Sequence, residues 1–455
     1  MKNRDLLILM GCYALIGGAV QAETIQLTVD KAVELSLKNN LTLKVEDLQL
    51  QSKKRSKDLA WNAFIPKTSV GGSLSHLNQP SQLVSDLVPL AEQFGVSASN
   101  LVTPDWIVAG KFSSELDISL ALFDGIRHTV LDYQAGLIES QTARQSLIRD
   151  TKKAFYNLLL LKENLATFED QLETAEKHYQ KEKRNFETGI GSEFSMLDAQ
   201  VAWENMKPGL DEMRISAAVA ELSFKQMLGL DRATTLDIQG SFDPQAVPLD
   251  NEKLVDVAIN QNPALASLRQ TIAIQKNLRR GQFDLDYFPT LGLSFSADPT
   301  FQKDPFANPW FTNISTDWYQ NTGAFSVFLN LPLDGFLPFS STAVTLANMD
   351  DSIAQLQTNL LITIQSTEVR ITSLVLQVEK SRRTVERLEL NVELASRAYQ
   401  MAEKGFESGA YELLQVEDAD NKLREAKYNV LSEKYAYLSG LFDLEYETNQ
   451  SLTVK

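Results

Sequence analysis

YQKEKRNFETGIGSEFSMLDA, residues 179–199, and YQMAEKGFESGAYELLQVEDA, residues 399–419, are one passage written twice, 220 positions apart. In each copy a Phe-x-x-Gly step, Phe186 to Gly189 and Phe406 to Gly409, interrupts a helical pattern, and Asp198-Ala199 or Asp418-Ala419 follows at the same distance. Upstream, Leu158, Leu161, Leu165, Phe168, Leu172, Ala175 and Tyr179 recur at three- and four-residue steps. The same offset carries that stripe onto Val378, Ser381, Val385, Leu388, Val392, Ala395 and Tyr399. Spacing of this kind is one face of a helix. Repetition over so long a period means that the chain contains two copies of one architectural unit.

Working outward, each copy has the same order of elements. An amphipathic helix is predicted over Val29 to Asn62 and again over Asn251 to Asp286, each ended by a proline, Pro66 or Pro289, which cannot continue the hydrogen-bond ladder. Two runs of strict alternation follow in each half. They centre on Val70, Gly72 and Leu74, then Leu116 to Leu122; in the second half, on Leu291 to Ala297, then Phe325 to Leu333. Period-two alternation predicts four strands, two per half. A hydrophilic loop separates each pair, and the second loop is rich in aromatic residues: Phe301, Phe306, Trp310, Phe311, Trp318 and Tyr319.

Asp124-Gly125 and Asp334-Gly335 stand at the strand–helix corners, where the aspartates are suited to cap the next helix. That helix runs long, from about Arg127 to Thr188 and from Ser341 to Ser408, or on the order of 90–100 Å each. Gly189 and Gly409 end it in the left-handed conformation, and helices return from Ser192 and Glu412 to stops at Gly229 and Asn449. Pro208 is expected to kink the first returning helix.

The N-terminus reads as an address. Lys2 and Arg4 precede an apolar stretch from Leu6 to Ile16, and Val20-Gln21-Ala22 is a small-residue cleavage site. The expected division is a signal peptide over 1–22, a first repeat over 23–240 and a second over 241–455. A second reading of the same stretch is that Leu9-Met10-Gly11-Cys12 resembles a lipobox, with Cys12 lipidated. Cys12 is the only cysteine of the chain, so cleavage after Ala22 leaves no disulfide or thiol chemistry.

Composition narrows the function classes. A net charge of −16 disfavours nucleic acid as a partner. After the leader no segment approaches the roughly 18 uncharged apolar residues of a membrane-spanning helix. The three histidines, His76, His128 and His178, are scattered, and no zinc-ligand spacing, P-loop or G-x-S-x-G elbow occurs. No catalytic residue, cofactor or metal is expected.

The strands are apolar on one side and small or polar on the other, the pattern of a barrel in an outer membrane. Four strands cannot close a barrel, and an open sheet edge is not tolerated in lipid. The chain must therefore share its barrel with copies of itself. Two copies would give a filled eight-stranded barrel, whereas three would give twelve strands and a lumen. The helices carry too many charges for lipid and are expected to hang below it, burying their stripes against one another.

This order of elements resembles the TolC outer-membrane efflux family. Leu122-Phe123-Asp124-Gly125 and Phe186-Glu187-Thr188-Gly189-Ile190 carry the likeness best. Ala32 to Leu43 resembles the family's opening A-x-x-x-A-x-x-x-N-P-x-L segment, with Leu41 where proline is usual; Ala258 to Leu265 keeps it with Asn262-Pro263.

The resemblance implies a mainly α protein with a transmembrane β-barrel: a homotrimer whose twelve-stranded barrel in outer-membrane lipid continues into a periplasmic α-helical barrel. It implies a passive exit duct for efflux or type I secretion, docked to a periplasmic adaptor (a membrane fusion protein) and an inner-membrane pump. It marks Gly189, Ile190, Gly409 and Ala410 as adaptor-docking tips. It also marks Asp198, Gln415, Glu417 and Asp418 as the periplasmic gate, with Gln415 standing where an aspartate is usual. The competing reading is a periplasmic coiled-coil scaffold or adhesin, which explains the heptads but not the duplicated strands. An acidic lumen, with Glu115, Asp117 and Asp298 as candidates, would favour cations.

N-terminal sequencing of the membrane-extracted protein is expected to read Glu23-Thr24-Ile25. A blocked terminus with an acylated Cys12 is the outcome that the lipobox reading requires.

Overall fold

The computed structural model describes residues 24–76, 89–90, 93–94, 106–242, 247–301, 305–306, 309, 318–319 and 323–452. The expected leader with Cys12, and Trp310 and Phe311 of the aromatic loop, lie outside the described residues. The chain forms two compact units, and each draws on both halves of the sequence. One comprises the residues up to Gln49, Ile138–Ser267 and the residues from Leu361; the other comprises Leu50–Leu137 and Leu268–Leu360.

The first unit is helical with one small sheet. Strands β1 (Thr24–Leu27) and β4 (Thr235–Ile238) pair in parallel, with Leu27 opposite Ile238. Sequence alternation does not reveal them, because four residues are too few to show a period. Their inward residues, Leu27 and Leu236, join Ala32, Phe155, Leu158, Phe224 and Leu228 in one buried core. A second core holds Ala258, Ile371, Val375, Val378, Leu438, Leu441 and Leu444. Phe155, Leu158 and Phe224 stand 220 positions from Val375, Val378 and Leu444, so the duplication builds each core from equivalent positions. Tyr156 packs against both cores.

The helix expected over Val29 to Asn62 is divided. It consists of α1 (Val29–Asn39), α2 (Leu41–Asp58) and a 3-10 turn over Ala60–Phe64. The break is made by Asn40, whose φ of −59° and ψ of 126° leave the helical region. Its Oδ1 accepts from the amides of Thr42 and Leu43, and its Nδ2 donates to the Met227 carbonyl at 3.0 Å. Asn262 does the same between α5 (Asn251–Gln261) and α6 (Pro263–Tyr287). Its Oδ1 accepts from Ala264 and Leu265, and its Nδ2 donates to the carboxylate of Glu447, the residue 220 positions beyond Met227. The asparagine, acting as an N-cap, is what both halves share, so Leu41 in place of proline leaves the break intact.

Two helical hairpins carry the long stripes. Helix α3 (Leu120–Glu187) is followed by α4 (Glu193–Leu228), and α7 (Ser341–Glu407) by α8 (Leu413–Thr448). Gly229 and Asn449 end α4 and α8 at φ of 64° and 51°. Helix α4 is continuous through Pro208. The neighbouring Gly209 lies against the Phe168 ring, where a Cβ would stand 3.1 Å from it.

The second unit is built on a sheet in which β2 (Lys67–His76), β3 (Trp106–Ile118), β5 (Thr290–Ala297) and β8 (Gly323–Asn330) are antiparallel neighbours in that order. A short ribbon of β6 (Thr300–Phe301) and β7 (Trp318–Tyr319) continues beside β3. It places Phe301 and Trp318 of the aromatic loop in ring contact at 5.6 Å. Phe306 meets Trp106 at 5.1 Å.

At the strand–helix corners two expectations are corrected. Strand β3 stops at Ile118 and α3 already starts at Leu120, so Leu120 and Leu122 are helical and Asp124 lies inside the first turns rather than at the cap. Alternation over three residues does not separate a strand from the start of an amphipathic helix. In the second half β8 ends at Asn330, and Asp334-Gly335 sits in a 3-10 turn. Ser340 is the side chain that caps α7, accepting from the Ala343 amide at 3.1 Å. The aspartates do other work. Asp334 accepts from the Thr342 hydroxyl at 2.9 Å. Gly335 lies against the ring of Tyr287, whose hydroxyl donates to its carbonyl at 2.6 Å.

Asp124 is 5% exposed. Its main-chain carbonyl accepts from Asn277 Nδ2 at 2.9 Å, and its carboxyl faces Asp284 and the Arg280 guanidinium, 3.4 Å away. Burial and the hydrogen bond to Asp284 push its pKa above the ordinary carboxyl value, against the pull of Arg280 and Arg127. The native state therefore holds this proton at pH values where the unfolded chain has lost it. Its contribution to stability is present below the unfolded carboxyl pKa and is lost as pH rises through the folded one. Thermal unfolding should show Asp124→Asn melting above the parent chain at alkaline pH, with the gap closing in acid. An equal gap at every pH would contradict the assignment.

Candidate functional site

The sheet of the second unit has two chemically different faces, because directly opposed residues on neighbouring strands point the same way. Val70 lies opposite Phe112, Leu116 opposite Leu293, Leu291 opposite Leu329, Leu293 opposite Val327 and Phe295 opposite Phe325. These residues make one apolar face across all four strands. The other face carries Ser69, Ser113, Ser294 and Ser326, with Lys67 opposite Glu115 and with Lys111 and Asp117 on the same side of β3. Ser69 and Ser113 are hydrogen-bonded across it at 2.7 Å. Phe328, on this polar side, lies over Gly292, where a Cβ would stand 2.0 Å from the ring. The candidate lumen residues Glu115 and Asp117 are thus matched in charge by Lys67 and Lys111.

Among the described residues, the two outer strands are bare on both faces. Every residue of β2 and of β8 is exposed, with Val70 at 81% and Phe325 at 69%. Among the described residues, β2 pairs only with β3, and β8 only with β5. The sheet therefore ends on two unpaired edges, and its apolar face is open.

The helical corners are built alike. Gly189 and Gly409 have φ of 73° and 75°. Amides after each glycine reach back to one carbonyl: Ile190 and Gly191 donate to Asn185, and Ala410 and Tyr411 to Gly405. This is a Schellman-type stop, and the positive φ is the reason for glycine, since open space surrounds both positions. The return helices are then capped differently. Ser192 Oγ accepts from the Ser195 amide at 3.1 Å, whereas Glu412 and Gln415 form a capping box, with Gln415 Oε1 accepting from the Glu412 amide at 3.2 Å.

Ile190, at 83% exposure, and Ala410 project at the tips. Phe194 and Leu414 stand 220 positions apart just beyond them and are equally bare, at 77% and 68%. Sequence reasoning passed over these two. Their signal was an apolar residue repeated at the same place in both corners.

The four candidate gate residues do not form one cluster. Gln415 is held in its capping box, and Asp418, exposed on the same side of α8, pairs with Lys422 at 2.5 Å. Glu417 turns elsewhere. It is half-buried, and burial together with the charge of Asp198 pushes its pKa up. Asp198 on α4 and Glu417 on α8 thus face each other across the two hairpins.

The histidines remain apart. His76 packs edge-on to Trp106, His178 packs edge-on to Phe406, and His128 is in α3. Among the described residues, no group of three or more His, Cys, Asp or Glu side chains could hold a metal ion, and no helix is long and apolar enough to cross a membrane.

Comparison with known proteins agrees with this architecture. The profile of the outer membrane efflux protein family matches residues 32–230 and 254–445. The chain is 22% identical over 346 residues to the alkaline protease secretion protein AprF of Pseudomonas aeruginosa, covering 74% of this chain and 69% of AprF. Its fold is similar to the CmeC outer membrane channel of Campylobacter jejuni, with a TM-score of 0.74 and 16% identity over 93% of this chain and 86% of CmeC. It is also similar to CusC, with a TM-score of 0.70 and 14% identity over 96% and 95% of the two chains. This chain belongs to the outer membrane efflux protein family, and its place is the outer membrane, with a helical extension in the periplasm.

Proposed function

We propose that the chain is one of three identical subunits of a passive exit duct, serving a tripartite efflux or type I secretion system and performing no chemistry of its own. The observation that carries this is the open sheet: four antiparallel strands, one continuous apolar face, and unpaired edges at β2 and β8. In lipid an unpaired backbone group costs several kcal/mol, and a closed barrel is the arrangement that leaves none. Four strands cannot close, whereas β8 of one subunit against β2 of the next closes twelve strands from three copies. Each tandem repeat, over 23–240 and 241–455, supplies two barrel strands and one helical hairpin. A scaffold or adhesin without a channel would have no use for an apolar face that nothing covers.

At the corners, Gly189, Ile190, Gly409 and Ala410 form the docking tips for a periplasmic adaptor, which links the duct to an inner-membrane pump. The bare side chains of Phe194 and Leu414 support this reading, because an exposed apolar residue repeated at both corners suits a partner surface. Asp418, Gln415 and their copies narrow the periplasmic end, and Asp198 and Glu417 act across the hairpins.

The native mass of the detergent-solubilised protein, corrected for bound detergent, is expected to be three times the chain mass of 50.9 kDa less the leader. A folded monomer would overturn the shared barrel. Phe194→Asp combined with Leu414→Asp should leave the trimer intact and lower cross-linking to the adaptor, and export with it, by at least about ten-fold, as loss of buried apolar anchors does. Unchanged cross-linking would remove the corners from the docking surface.

In planar bilayers under a salt gradient the reversal potential should show cation preference, in keeping with the chain's net charge of −16. Neutralising Glu115 and Asp117 together should weaken it only slightly if the helical part dominates. Anion preference in the parent chain would contradict the acidic lumen.

A further inference from the structure

Between the two hairpins of the first unit lies a cavity of about 350 Å³, lined by α3, α4, α7 and α8. It is more than ten times the roughly 30 Å³ that one water occupies in the liquid, and within the range of small-ligand pockets. Its apolar wall includes Phe168, Ala199, Met206 and Val416. Its polar lining mixes the donors of Arg424, Asn205, Asn421 and Thr174 with acceptors. Gln171, 8% exposed, bonds to Asp420, and its buried Oε1 has no hydrogen-bond partner. Glu417 and Asp420 add two carboxyls, and burial pushes the pKa of both upward.

The surrounding charges sharpen this picture. Asp198 acts on Glu417, Glu403 on Tyr399 and His178, and Glu182 on His178. Against these stand Arg424, Lys427 and Lys181. Two of the three cations have neutral partners, which leave their charges in place. Arg424 donates to Asn421 at 2.8 Å and lies over the Phe168 ring, and Lys181 lies over the Phe406 ring at 4.4 Å. Burial keeps the pKa of His178 below its ordinary value, so near neutral pH it adds no positive charge. The Tyr399 hydroxyl, pushed up to about 12 by burial and Glu403, stays neutral. A partly apolar chamber with two carboxyls in its wall, and five carboxyls against three cations in and around it, suits a donor-bearing cation on an apolar body.

We propose that this cavity is a binding site for a small organic cation, a protonated amine or amidine with an apolar body. The cation would pair with Glu417 and Asp420 and bury its body against Phe168, Met206 and Val416. Because all four helices line the cavity, such a ligand touches both hairpins at once. It binds only while they keep this packing, and so stabilises the arrangement by mass action. The site goes beyond the export reading and does not depend on the trimer.

The test uses the full-length protein in a non-ionic detergent, with 9-aminoacridine as the probe and acridine-9-carboxylate as its anionic counterpart. Partition into empty micelles is measured separately and subtracted. Saturable binding at one site per chain is expected for the cation, weakened at least ten-fold in Asp420→Asn and in Glu417→Gln. Ala202→Phe, which fills the chamber from α4, should abolish it. Each variant is compared at an unchanged thermal midpoint, so that loss of binding is not loss of fold. Affinity should also fall as pH is lowered from neutrality, since protonating Glu417 and Asp420 and charging His178 act in the same direction. Equal binding of the carboxylate, binding indifferent to all three substitutions, or no saturable binding above the micelle background would each overturn the site.

Discussion

The backbone of β2 and β8 sets the terms for the rest of this protein. Among the described residues, each strand has satisfied one edge of its hydrogen-bonding groups and left the other open. In water such an edge is tolerable, though it invites aggregation; in hydrocarbon each unmatched amide or carbonyl is expensive. The same strands carry a continuous apolar face that water would penalise. The proposed closure of the sheet by further copies of the chain meets both demands. A monomeric coiled-coil protein would meet neither demand.

Duplication supplies the parts that meet this constraint. Asn40 and Asn262 break their helices by the same cap and tie them to Met227 and Glu447, residues at equivalent places near the ends of α4 and α8. The two buried cores of the first unit use matched positions, with Phe155, Leu158 and Phe224 in one and Val375, Val378 and Leu444 in the other. What varies between the copies is side-chain size, not position. That is the pattern expected when two copies keep one backbone and repack its interior. The corners follow the same rule: both glycines keep their left-handed φ, while the cap that follows changes from Ser192 to the box of Glu412 and Gln415.

The helices are less uniformly apolar inside than their stripes suggest. Asp124, Asn277 and Asp284 are buried in the second unit, and Gln171 in the first. Buried polar groups are costly unless paired, and several of these keep one atom without a partner: Asp124 Oδ2, Asn277 Oδ1 and Gln171 Oε1. They mark where local order is most sensitive to protonation or to an added donor. Glu417 is half-buried, which separates it from the exposed Asp418 one residue on.

The sequence by itself determined the repeat, the presence of four strands with two faces, the hairpins and their left-handed stops, though it placed the second strand from Leu116 where β3 begins at Trp106. Each of these is written in a local period or in a residue that alone tolerates a given φ. The likeness of Leu122-Phe123-Asp124-Gly125 and Phe186-Glu187-Thr188-Gly189-Ile190 to the TolC family rested on the same local signals. The tertiary structure decided the rest. It placed β3 beside β5 across the two halves, paired the four-residue strands β1 and β4, and started α3 at Leu120. It also buried Asp124 instead of leaving it as a cap, sent Glu417 inward and Asp418 outward, and opened a chamber between the hairpins. These outcomes depend on groups distant in sequence that compete for the same buried space or the same hydrogen bond, and no local period records which of them will win.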